Sequence, residues 1–240
     1  MNYVSNNRVT ELAKLKQKKF REKFVIVEGR RLIDQLIRNN VKIEEIFITE
    51  NSNIHFDSFP DNKLFLIKDW QLQKITSTKN PQEIAALVKI KILKIKDSRF
   101  LLYLDDIKEP GNLGAIIRTA ASAGIYGIIL SPECCEIFNP KVIRSSLGTV
   151  FSFPIEIHNF EWLKEQNAKI VVSTLEEAEN LFDFKLPSEN IILVIGSEAF
   201  GVSDEILEIA DYRIKIPVKN NVESLNAAVA AGIIIYHLID

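Results

Sequence analysis

Between residues 100 and 216 the chain repeats one arrangement: a short, mostly apolar run, a turn, then a stretch with helical spacing. The runs are Phe100 to Leu104, Gly127 to Leu130, Ile170 to Ser173, Ile191 to Ile195 and Tyr212 to Ile216. A strand with one wet face alternates apolar and polar residues. Most of these runs do not, so both of their faces are covered. Helical spacing over Leu113 to Ala123, Lys141 to Leu147, Phe160 to Gln166, Ser203 to Ile209 and Leu225 to Leu238 supplies the covering layers. The alternation predicts an α/β fold, a parallel sheet with helices on both faces. Ligands of such sheets bind beyond the carboxyl ends of the strands. The informative residues should therefore sit just after the apolar runs.

The first part of the chain reads differently. A helix is expected over residues 8–22, a strand over Phe24 to Val27, and a helix over Arg31 to Arg38. Strands are expected at Ile46 to Ile48, Leu64 to Ile67 and Ile84 to Val88. These make a small α/β unit. The alternating basic stretch Lys89 to Arg99 is either an edge strand or a linker, and it sets the expected boundary: one domain over 1–95, a second over 99–240. Charge divides at the same place. Residues 1–98 carry 19 Lys and Arg against 12 Asp and Glu, whereas residues 99–240 carry 11 against 20. A basic module beside an acidic one suggests that the first meets a polyanion. Its densest part offers Lys14, Lys18, Lys19, Arg21, Arg30 and Arg31 as contacts to that polyanion, each more readily read as a solvated charge. In the acidic half, Arg118, Lys141 and Arg144 are basic exceptions, where a polyanion would be confined to one path.

Several classes are excluded. No apolar run approaches the roughly 20 residues that span a bilayer, and the N-terminal MNYVSNNRVTELAKLKQKKF has no apolar core of a secretory signal. Cys134 and Cys135 are adjacent and cannot form an ordinary bridge with each other, which suggests a reducing cytoplasm. His55, His158 and His237 are scattered, so no metal site is expected.

Three loops carry the chemistry. After Leu104 comes DDIKEPGNLGAIIRTAASAG, residues 105–124. Here Asn112 reads as the cap of a helix starting at Leu113, and Arg118 lies on that helix's first turns. The bland reading is a capped βα loop with a surface arginine. After Ile195 comes GSEAFGVSDEIL, with Glu198 between Gly196 and Gly201. That carboxylate either bonds a ribose or polarises a substrate group, or it only satisfies backbone N–H groups. After Ile216 comes PVKNNVESLNAAVAAGIIIYHLID, where Ser224 and Asn226 stand at the start of an Ala-rich helix. Free N–H groups there make a polar surface, or an ordinary cap. Neither a G-x-G-x-x-G nor a Walker spacing occurs, which disfavours an NAD enzyme of Rossmann type.

Taken together, N-x-G-x-x-x-R-T-A, G-S-E-x-x-G and I-P-x(5)-E-S-L-N-A-A-V-A resemble the SpoU (TrmH-like) branch of the SPOUT RNA 2′-O-ribose methyltransferases, in order and spacing, over about residues 100–240. Residues 139–155, NPKVIRSSLGTVFSFPI, resemble the family's stretch between its first two motifs. The N-terminal FREKFVIVEGRRLIDQLI is similar to the L30e-like substrate-binding domain of the ribosomal RNA members. Ala199-Phe200 departs from the family, which usually has Gly and a basic residue there. That departure bears on local RNA contacts rather than on the chemistry.

The resemblance implies a deep trefoil knot in the C-terminal domain, S-adenosylmethionine as cofactor, a homodimer formed through that domain, and RNA, foremost ribosomal RNA, as substrate in the cytoplasm. It implies cofactor contacts at Thr174, Gly196, Ile216 and Leu225. Asn112, Arg118, Glu198, Ser224 and Asn226 become the catalytic set. The alternatives are a transfer RNA 2′-O-methyltransferase, a base-methylating relative, or a non-catalytic RNA-binding protein on the same scaffold. The family assigns activation of the hydroxyl to Arg118. A guanidinium stays protonated, so holding phosphate and stabilising developing oxyanion charge is the physically simpler role.

Overall fold

The computed structural model describes residues 1–52, 59–97, 99–220 and 223–239. The chain divides into two compact units, one of Met1–Lys91 with Phe138–Ser152, the other of Ile92–Ile137 with Phe153–Asp240. His55 lies outside the described residues.

The first unit begins with β1 (Asn2–Tyr3), α1 (Asn6–Lys14), β2 (Phe24–Glu28), α2 (Arg30–Arg38), β3 (Ile43–Thr49), β4 (Leu64–Ile67), α3 (Asp69–Ile75) and β5 (Ile84–Lys89). Their sheet has the order β1-β4-β3-β5-β2. Strands β1, β4 and β3 run parallel, and β5 runs antiparallel to both β3 and β2. Helix α1 stops eight residues short of the expected end. The buried Arg21 folds back and its guanidinium donates to Leu15 O at 3.1 Å and Lys16 O at 2.7 Å. Those bonds use carbonyls just past the helix end, so the chain turns there instead of continuing. Arg21 is thus fixed inside the fold, which removes it from the exposed basic surface. No strand forms over residues 90–97, so that basic stretch is a linker.

The second unit supplies β6 (Phe100–Leu104), α4 (Pro110–Ser122) and β7 (Gly127–Leu130). After α5 (Pro140–Ser145) it continues with β8 (Ile155–Ile157), α6 (Phe160–Lys164), β9 (Lys169–Ser173) and β10 (Glu179–Asn180). Then come β11 (Ile191–Ile195), α7 (Asp204–Glu208), β12 (Tyr212–Lys215) and α8 (Ala227–Ile239). Seven strands in the order β10-β12-β9-β11-β6-β7-β8 pair in parallel throughout. Central β11 has every residue buried, at 3% exposure or less. Burying each such aliphatic side chain contributes about 1.5–3 kcal/mol, which is why these runs lack polar residues. The parallel α/β sheet anticipated above is the one observed.

Helix α5 belongs to the first unit, although its sequence lies between strands of the second. Gly148 follows it at φ +77°, where a Cβ would lie 2.6 Å from Leu36 and 2.8 Å from Leu32 of α2. Arg144 donates to Glu28 at 3.2 Å and to Ser77 at 2.6 Å. Glu28 is 9% exposed and also accepts from Thr78 at 3.1 Å. Arg144 therefore neutralises a buried carboxylate of the first unit. Arg144 thus groups with the first unit, and its side chain stays 38% exposed.

Candidate active site

Strand β6 delivers the chain to a tight entry into α4. Asp105 is buried, and its Oδ2 accepts from Ser203 N–H at 2.9 Å, tying the end of β6 to the start of α7. Glu109 is the helix cap: its Oε2 accepts from the Asn112 N–H at 2.8 Å, and Pro110 follows at the first helical position. Asn112 is therefore not the cap that its residue type suggests. It lies inside the first turn, and its amide is left to reach outward.

The turn after β11 is closed by mutual backbone bonds between Ser197 and Gly201, at 2.9 and 3.0 Å. A Cβ on Gly196 would fall 2.1 Å from the Gly201 carbonyl carbon and oxygen, so only glycine fits. Glu198 projects from this turn, exposed.

At the start of α8, Asn226 Oδ1 accepts from Ala228 N–H at 3.0 Å and Val229 N–H at 3.3 Å. With that oxygen committed, its Nδ2 donates to Asn112 Oδ1 at 3.0 Å, and Asn112 Nδ2 donates to Glu198 Oε1. A directed chain of hydrogen bonds thus joins the three loops. The direction follows from chemistry: the two N–H groups of α8 fix the Asn226 amide, which fixes Asn112, which leaves a donor for the carboxylate. Beside this chain lies a cavity of about 520 Å³ lined by Thr174, Gly196, Glu198, Ile216, Ser224 and Leu225 among others. All four expected cofactor residues lie on its wall, and its size is that of a small-molecule site.

Arg118 is not in this chain. It is exposed on the third turn of α4, about 120° around the helix from Asn112. Among the described residues nothing hydrogen-bonds or ion-pairs its guanidinium. Of the basic candidates in the first unit, Lys14, Lys18, Lys19 and Arg31 are exposed. Lys19 also sits 5.0 Å over the Phe20 ring. Arg30 is paired with Asp34 at 2.8 Å. His158 bonds Glu156 at 2.9 Å and stacks on Trp162, and His237 meets the edge of Phe182. Among the described residues no three His, Cys, Asp or Glu gather as a metal site.

Two neighbours of the site escaped sequence reading. Glu109 orients Asn112; the signal was available, an acidic residue directly before a proline at a helix start. Cys135 is the other. Burial, then Cys134, Glu109 and Glu198, push its thiol up to about 12, so it stays protonated beside the carboxylates.

A parallel α/β unit with a strand-end cavity and a converging polar chain is the arrangement of a small-molecule site at the carboxyl ends of the strands. Residues 99–236 match the SpoU rRNA methylase family, and residues 6–86 match the MRM3-like substrate binding domain. The chain belongs to the SpoU family. It is 31% identical to the 23S rRNA (guanosine(2553)-2′-O)-methyltransferase RlmP of Bacillus subtilis, over 98% of this chain and 97% of that one. Among solved structures it resembles an AdoMet-bound rRNA methyltransferase from Sinorhizobium meliloti, with TM-score 0.83, 25% identity and 99% and 96% of the two chains covered. An RNA 2′-O ribose methyltransferase matches with TM-score 0.80 at 25% identity, covering 99% and 97%.

Proposed function

We propose that this chain is an S-adenosylmethionine-dependent RNA 2′-O-ribose methyltransferase acting on ribosomal RNA. The observation that carries the reading is the Glu198–Asn112–Asn226 chain beside a cavity walled by Thr174, Gly196, Ile216 and Leu225. The close-packed backbone at Gly196 and the small, mostly neutral lining fit a nucleoside cofactor held largely by main-chain groups. Bound there, S-adenosylmethionine supplies an electrophilic methyl group. The Asn112 and Asn226 amides each keep a second N–H, which donates to ribose oxygens and holds the 2′-hydroxyl in place. Glu198 and Ser224 complete the polar wall. Arg118, exposed on another face of α4, grips a neighbouring phosphate, and the proton leaves to a phosphate oxygen or to water. An intact polar chain speaks for catalysis over a silent RNA-binding scaffold.

Ribosomal RNA is favoured because the relative named for it aligns over almost the whole chain, and because the first unit matches a substrate-binding domain. Lys14, Lys18, Lys19 and Arg31 are its exposed phosphate contacts. The working assembly is a homodimer through the second unit, with a trefoil knot in that unit. Support for the dimer is the apolar exposure along α8, at Val229 51%, Tyr236 45% and Ile239 39%. No helix among the described residues is long and apolar enough to cross a membrane, and the site of action is the cytoplasm. The test is transfer of labelled methyl to unmodified ribosomal RNA, followed by digestion. A nuclease-resistant dinucleotide is expected; label in a base, or none, would sink the proposal.

A further inference from the structure

Phe200 is the most exposed large apolar side chain among the described residues, at 87%. The turn that carries it is held firmly. Ser197 and Gly201 exchange backbone hydrogen bonds, and the Phe200 N–H donates to Ser197 Oγ at 3.2 Å. Residue 200 also borders two hollows. One is the cavity described above; the other holds about 470 Å³ and is lined by Asp105, Asp106, Ser131, Glu133, Asn159 and Glu205 among others. Asp105 already accepts from Ser203 N–H and Asp106 pairs with Lys108, which leaves the Glu133 and Glu205 carboxylates to accept hydrogen bonds from N–H groups.

We propose that Phe200 is a stacking platform for a nucleobase of the RNA substrate, splayed out of its own stack, with the acidic hollow receiving that base's N–H edge. The inference rests on the reading of the chain as an RNA ribose methyltransferase and names how that site grips its substrate. A ribose placed at the Glu198–Asn112–Asn226 chain brings its own base, or its neighbour's, within one nucleotide's length of residue 200. A planar apolar ring on a rigid turn suits any base face, and single-stranded RNA is recognised in this way. The homodimer proposed above uses the exposed apolar side chains of α8, and Phe200 lies on a different element.

Steady-state methylation of unmodified 23S rRNA by Phe200→Ala, Phe200→Trp and Phe200→Leu tests the proposal. Cofactor affinity is measured separately by calorimetry and oligomeric state by sedimentation. The alanine variant should raise the RNA KM roughly 5- to 100-fold, far more than it moves cofactor affinity. Tryptophan should restore the KM, and leucine, apolar but without a π face, should not. An unchanged KM in the alanine variant overturns the proposal. So does rescue by leucine equal to that by tryptophan, or a dimer-to-monomer shift that accounts for the loss. A wild-type protein that methylates no RNA would instead refute the functional reading itself, which the same assay reports first.

Discussion

Gly196→Ala is the sharpest perturbation the structure offers. The added Cβ would lie 2.1 Å from the Gly201 carbonyl carbon and oxygen and 2.3 Å from Val202 N. Ordinary van der Waals contact begins near 3.4 Å, so something must move by more than 1 Å. The opposing atoms are backbone, in a turn closed by two hydrogen bonds and followed by Val202 at 6% exposure; they cannot rotate aside as a side chain would. Overpacking of this kind costs about 1–3 kcal/mol, or roughly 2–4 °C of Tm per kcal/mol for a protein of this size. The displaced turn is the one that carries Glu198 and borders the cofactor cavity. A shift of that size costs about 100-fold in the chemical step. Thermal melts, calorimetric titration with S-adenosylmethionine and single-turnover methylation measure the three effects. Melting, affinity and rate all within twofold of wild type would show that the turn yields freely, and the close-packing argument would be wrong.

Four further outcomes follow from the same geometry. Asn112→Asp replaces the donor facing Glu198 with a second carboxylate, so turnover should fall about 100-fold while cofactor affinity moves far less, as a kcat and calorimetry comparison will read. Arg118→Lys keeps the charge but loses the planar fork; full turnover with unchanged RNA affinity would refute the proposed role of that guanidinium. Arg144→Ala leaves Glu28 buried with only hydroxyl partners, and because Arg144 is 38% exposed the loss should be modest, about 1–2 kcal/mol by urea unfolding. The salt dependence of RNA binding should stay the same in that variant. For Glu156, burial pushes the carboxyl up, but His158, the Ile95 N–H and Lys94 outweigh it and hold it below the usual 4.5. Its ionised form then favours the folded state: the contribution is complete above about pH 4.5 and is lost as pH falls through the lower folded value. Glu156→Gln should flatten that part of a urea-unfolding series measured against pH.

The parallel sheet was legible because its strands are buried on both faces and read as apolar runs. Strands β1, β8 and β10, two or three residues long, leave no periodic signature, since their partners fix them rather than their own sequence. The convergence of Asn112, Glu198 and Asn226 could be inferred only from the three motifs jointly; spacing alone leaves a bland reading open at each. The cap of α4 went to the wrong residue because Glu109 and Asn112 are both competent acceptors, and a proline after Glu109 decides between them. Arg21 reads as a surface cation because composition counts charge without partners. Arg144 meets Glu28 across 116 residues of chain, a pairing no local pattern announces.

The detour through α5 has a practical consequence for anyone who cuts this gene. The first unit is not a cassette ending near residue 91, because part of it is encoded between β7 and β8. A fragment stopping there would leave Glu28 without its arginine and would bare the patch of Leu32 and Leu36 that Gly148 covers. Swapping substrate specificity between relatives therefore calls for transplanting two separate stretches of sequence together.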